Sequence, residues 1–94
     1  MGGAVERAFG CVLRDLRLEA GWSQEKLAAA SSTTRGYISL LERGVNSVTI
    51  DMLFRVAGAL RITPAALLER VQAAMNSPAE DASTALKPNS GESG

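Results

Sequence analysis

Between Val5 and Glu19 the apolar residues Phe9, Val12, Leu13 and Leu16 recur at i, i+3, i+4 and i+7, the spacing that gathers them on one face of a helix. A first helix is predicted over about 4–20, and Gly21 ends it. Ser23 offers a capping oxygen to a second helix over about 24–30, with Trp22 and Leu27 at the positions of a hydrophobic staple. The run Ser31, Ser32, Thr33, Thr34 then breaks the pattern. Side chains of this kind bond to nearby backbone at turns and caps, so a tight turn is predicted. A third helix over about 34–42 turns Ile38 and Leu41 inward. Gly44 and Asn46 mark a stop and a loop, and Thr49 caps a fourth helix over about 50–60 that presents Ile50, Leu53, Val56, Ala57 and Leu60. Thr63 followed by Pro64 reads as an N-cap with proline in the first turn, opening a fifth helix over about 64–75 with Leu67, Leu68, Val71 and Met75.

Composition agrees with an all-α bundle: of 94 residues, 46% are hydrophobic but only 4% aromatic, with many alanines and leucines. A chain this short forms one domain and buries only about 60 to 65% of its extended surface. The domain is expected over residues 1–76. Residues 77–94, "SPAEDASTALKPNSGESG", have Leu86 as their one large apolar side chain and cannot bury enough surface to offset ordering, so a disordered tail is expected there. No window holds 18 uninterrupted apolar residues, and Glu6, Arg7, Arg14, Asp15 and Arg17 interrupt the N-terminal stretch. Neither a membrane span nor a signal peptide fits, which makes the cytoplasm the expected location.

Candidate chemistry narrows by elimination. Cys11 stands alone and reads as a filler at the edge of the core; with no histidine, no metal-ligand cluster forms, and neither a metal nor a cofactor is expected. Asp15, Glu19, Glu25 and Glu69 make no carboxylate pair within a pocket, and no glycine-rich phosphate loop is present, so catalysis is not expected. The formal net charge of zero hides an asymmetry: residues 1–76 carry nine Lys/Arg against seven Asp/Glu, and the tail one lysine against three acids. The predicted domain is mildly basic, which permits a nucleic-acid partner without requiring one.

Two short helices joined by a tight turn, the second opening with small polar residues and an arginine, describe a helix-turn-helix whose second helix fits a major groove about 12 Å wide. Arg35 can donate to guanine O6 and N7 or to a phosphate, Thr34 and Ser39 can bond in either place, and the helix start offers backbone amides. The same residues also read as caps and solvated surface, with Tyr37 covering the edge of the core.

"LRDLR", "GWSQEKLA", "RGYISLLERG" and "TIDMLFRVAGAL", in this order within residues 13–68, resemble the Xre/Cro-type helix-turn-helix family, which includes the DNA-binding domains of lambda-type phage repressors. The resemblance implies a compact five-helix lambda repressor-like domain that binds double-stranded DNA. It puts Gln24 near a phosphate and in reach of the reading face of the third helix. It sets Thr34, Arg35, Gly36, Ser39 and Leu40 on or beside that face, Tyr37 near the DNA backbone, and Arg43, Asn46 and Ser47 near phosphates. It also implies an architectural pair between Arg17 and Glu42. The chain departs from the family where members usually carry Ala-Gly at the turn and this one has Ser31-Ser32. Either Ser32 adopts the turn at some strain or the turn is wider. Gly36 brings no side chain to a reading position: either the backbone approaches DNA closely there, or base discrimination at that point is weak.

A single module of this kind touches too few phosphates and bases for high affinity, so a homodimer on a palindromic operator is expected, with Leu67, Leu68, Val71 and Met75 as its interface. The leading reading is a transcriptional regulator that acts by occupying its site, with no small-molecule ligand. The alternative is a protein-interaction module or antitoxin-like component that binds a partner such as a toxin or polymerase through the fifth helix or the tail.

Overall fold

The computed structural model describes residues 3–76; the tail expected over 77–94 lies outside the described residues. Five α-helices and no strand occur among the described residues: α1 (Ala4–Glu19), α2 (Gln24–Ala30), α3 (Arg35–Glu42), α4 (Ile50–Ala59) and α5 (Pro64–Asn76). Each of α2 to α5 starts at a hydroxyl cap. Ser23 Oγ accepts from Lys26 N, Thr34 Oγ1 from Tyr37 N, Thr49 Oγ1 from Met52 N and Thr63 Oγ1 from Ala66 N, at 3.0 to 3.1 Å. Thr34 is thus the cap of α3 rather than its first helical residue.

Four helices also end alike. The amides of Trp22, Thr33, Val45 and Ile62 reach back to the carbonyls of Arg17, Ala28, Leu40 and Ala57, closing Schellman motifs. The residue at the left-handed position is Gly21 (φ 75°) after α1 and Gly44 (φ 74°) after α3, but Ser32 (φ 58°) after α2 and Arg61 (φ 60°) after α4. The turn between α2 and α3 is therefore the tight one, made with a serine where the conformation favours glycine.

One core joins all five helices: Phe9, Val12, Leu13, Leu16, Leu27, Ala28, Ile38, Leu41, Met52, Leu53, Val56, Ala57, Leu67 and Val71. Two expected core positions move out. Ile50 is the first residue of α4, at the edge of its buried arc, and is 71% exposed. Cys11 does not fill the core edge but is exposed in the cleft between α1 and α5. Met52 enters the core in their stead. Gly10 lets α1 cross the end of α3 at backbone distance, since a Cβ there would lie 2.4 Å from Leu41 O and 2.5 Å from Glu42 O. Among the described residues no helix is long and apolar enough to cross a membrane.

Candidate nucleic-acid interface

The crossing of α1 over α3 sets up the polar centre of the site. Arg17, on the last turn of α1, donates from Nε to Glu42 Oε2 at 2.6 Å and from Nη2 to Glu42 Oε1 at 3.0 Å, a fork that fixes both planes. Its Nη1 donates to the Trp22 carbonyl at 2.8 Å. Both side chains are nearly buried. The guanidinium is held above its ordinary pKa chiefly by the hydrogen bonds to Glu42, against the opposing effect of burial. The pair locks α1, the α1–α2 turn and the end of α3 together.

From this pair the hydrogen bonding runs outward. Gln24 Nε2, at the start of α2, donates to Glu42 Oε1 at 3.0 Å, which orients the amide with its oxygen pointing away. That oxygen accepts from Arg35 Nη1 at 3.1 Å. Arg35 is exposed at the first turn of α3, so a buried ion pair is linked through one amide to a surface arginine. Gln24 and Arg35 stand 11 residues apart in sequence, and the α2–α3 turn brings them together.

Along α3, Arg35, Ser39 and Arg43 fall at i, i+4 and i+8, with Gly36 and Leu40 on the adjoining line. This face is opposite Ile38 and Leu41. Arg35, Gly36 and Arg43 are exposed, Ser39 and Leu40 half-buried, and a Cβ at Gly36 would meet nothing within 4 Å. Tyr37 leans on the core from the side and is half-buried. Thr34 uses one lone pair of its hydroxyl on capping, which leaves its proton and a second lone pair for a ligand. Asn46 and Ser47 lie in the α3–α4 loop, but the Ser47 hydroxyl donates to Glu6 Oε2 at 2.6 Å. A phosphate approaching Ser47 would meet a carboxylate whose pKa is lowered first by that bond.

Two side chains that support the site, Arg55 and Glu6, had no signal in the periodicity. Arg55 on α4 donates to the Ser32 carbonyl at 3.3 Å and pairs with Asp51 at 2.9 Å, bracing the turn from behind. Glu6 ties the start of α1 to the loop, accepting from Gly3 N at 2.8 Å as well as from Ser47. On α5 the structure divides the expected interface. Leu67 and Val71 are buried in the chain's own core and so are covered already, because the same stripe must close the domain. Leu68 and Met75 remain 48% and 45% exposed.

A sequence model of the helix-turn-helix family matches residues 13–67. The control protein C.BamHI of Bacillus amyloliquefaciens is 38% identical over 66 residues, which cover 69% of this chain and 82% of that protein. The clp gene regulator ClgR from Corynebacterium glutamicum superposes with a TM-score of 0.77 at 33% identity, over 84% of each chain. The restriction-modification controller protein C.Esp1396I, solved as a tetramer in complex with its natural 35 base-pair operator, superposes with a TM-score of 0.72 at 29% identity, over 78% of this chain and 96% of that one.

Proposed function

The chain belongs to the helix-turn-helix family, and from that premise we propose that it is a sequence-specific transcriptional regulator of the restriction-modification controller kind, binding a palindromic double-stranded operator as a homodimer. The observation that carries the reading is the α3 stripe. Arg35, Ser39 and Arg43 run along an outward face beside the bare backbone of Gly36, while the one carboxylate of that helix, Glu42, is turned inward and neutralised by Arg17. A helix so built offers donors without acidic repulsion to a polyanion. In this reading Arg35 reads a base edge with Thr34, Ser39 and Leu40 on or beside the same face, Gln24 and Arg43 meet phosphates, and Tyr37 and Asn46 line the backbone track.

The relatives support the same activity. C.Esp1396I was solved as a tetramer on its natural 35 base-pair operator, which shows that a chain of similar fold can assemble on duplex DNA.

Selection from random duplexes with the purified chain, followed by affinity measurements at two salt concentrations, tests the proposal. A preferred half-site that recurs with two-fold symmetry is the expected result, and the slope of log affinity against log salt counts the phosphates engaged. Substituting Gln24 and Arg35 together by alanine abolishes the preference. Survival of specific binding through that double change would remove the assigned reading face, and no selected duplex at all would favour the protein-interaction reading.

A further inference from the structure

We propose that the outer face of α4, centred on Ile50 and Phe54, is where a second copy of this chain docks; the inference rests on the homodimer reading above and moves its interface away from α5. Ile50 and Phe54 are 71% and 60% exposed, the two most exposed of the large hydrophobic side chains among the described residues. They stand at i and i+4 and so share one face of the helix. Exposed aromatic residues of this kind anchor interfaces out of proportion to their number.

Gly58 continues the same stripe one turn further on. A Cβ there would meet nothing within 4 Å, so internal packing supplies no reason for a residue that weakens a helix interior. A bare surface there is a reason if the loop leading into a partner's α4 must come close. Gly10 makes the contrast, because its missing Cβ is accounted for by the α3 backbone.

Charge identifies the occupant as a second copy. Asp51 and Arg55 border the stripe and pair with each other at 2.9 Å. In an antiparallel pairing of two α4 helices about a two-fold axis at the level of Leu53, Asp51 lies opposite the partner's Arg55, and Arg55 opposite the partner's Asp51. In the same pairing Phe54 meets its own counterpart across the axis, and Ile50 packs against the partner's Phe54. The face is therefore complementary to itself, the condition for an isologous two-fold interface. Since Arg55 also donates to the Ser32 carbonyl, such an interface adjoins the turn that aims α3.

Sedimentation equilibrium on the full chain tests the assignment, with circular dichroism melting to verify that each variant folds. Phe54→Glu is expected to weaken dimerisation by about thirtyfold or more, as for an interface anchor. Leu68→Glu leaves it unchanged. Two charge-segregated chains supply the second arm: Asp51→Arg and Arg55→Asp each repel themselves and stay monomeric, whereas their mixture forms a heterodimer. A pairing confined within one chain cannot produce that result. If Leu68→Glu dissociates the dimer while Phe54→Glu does not, or if the charged mixture stays monomeric beside a dimeric parent, the α4 face is wrong and the homodimer reading stands. A parent chain that is monomeric at concentrations where it binds its operator overturns both.

Discussion

Replacing Ser31 by alanine removes a hydroxyl that is 1% exposed and whose oxygen has no hydrogen-bonding partner. A buried polar group in that condition costs about 1–3 kcal/mol of desolvation with no bond in return. The methyl of alanine keeps the Cβ in contact and gives up only the oxygen's dispersion contacts, about 0.1–0.2 kcal/mol each. The expected gain is about 1 kcal/mol. Ser32 offers a second, separate gain: its φ of 58° is the left-handed conformation, costing an L-residue about 1–2 kcal/mol, and glycine relieves it while giving back about 0.5–1 kcal/mol in unfolded-chain entropy. Ser31→Ala with Ser32→Gly restores the Ala-Gly turn usual in the family, and the two effects have different causes, so their sum is about 1.5–2 kcal/mol. For a domain of this size each kcal/mol shifts Tm by about 4–8 °C. Thermal and urea unfolding of the parent, the two single variants and the double variant should show a rise in Tm of roughly 6–16 °C with an unchanged m-value, and operator affinity should stay within about threefold. A fall in stability for Ser31→Ala would mean that the hydroxyl is satisfied, and the reasoning from its isolation would be refuted.

Glu42→Ala strands the Arg17 guanidinium in a nearly buried site and should cost about 3–5 kcal/mol, read as loss of most of the urea midpoint; a cost below about 1 kcal/mol would show that water reaches Arg17. Gly36→Ala meets no neighbour within 4 Å and should stabilise the fold by about 0.5–1 kcal/mol of helix propensity, read as a modest rise in Tm; a concurrent drop in operator affinity would identify close backbone approach, whereas unchanged affinity means weak discrimination at that point. Glu6 has its pKa lowered, first by the Ser47 hydroxyl bond, so its contribution to stability is present above the ordinary carboxylate value of 4.5 and is lost as pH falls through the depressed one. Acid titration of Glu6→Gln should accordingly show less loss of stability below pH 4.5 than the parent, and identical acid limbs would contradict the assignment.

Most of the fold was legible because it depends on local rules. Ser23, Thr34, Thr49 and Thr63 sit where hydroxyl caps belong, and each makes its bond. Leu13, Leu27, Ile38 and Leu41 follow helical spacing into the core and are fully buried. Ile50 misled because periodicity fixes which residues share a face but not how wide the covered arc is, and a residue at the arc's edge is decided by its tertiary neighbours. The stripe on α5 divides for the same reason: Leu67 and Val71 close the core, whereas Leu68 and Met75 stay exposed. The site was legible in its parts and not in its connections. Gln24 and Arg35 each stood out, yet the bond between them depends on the α2–α3 turn angle. Likewise the Glu6–Ser47 bond spans 41 residues, and nothing in either segment's pattern announces the other.

Those connections give a physical reason for retaining charge inside so small a core. A buried ion pair is weak as a stabiliser, because desolvating both groups consumes much of the attraction, and two well-packed apolar residues would often do as well. What apolar residues cannot do is point an amide. Glu42 accepts from Arg17 through both oxygens and still has a lone pair on Oε1 for Gln24 Nε2, and this bond decides that the amide oxygen, not its nitrogen, faces Arg35. An arginine carries about 2 kcal/mol of rotamer entropy that must be lost when it engages a base. Arg35 has already lost part of it to Gln24. In the proposed reading, the fixed charge at the end of α3 serves recognition as well as folding: it holds three helices together and passes a preferred orientation out to Arg35.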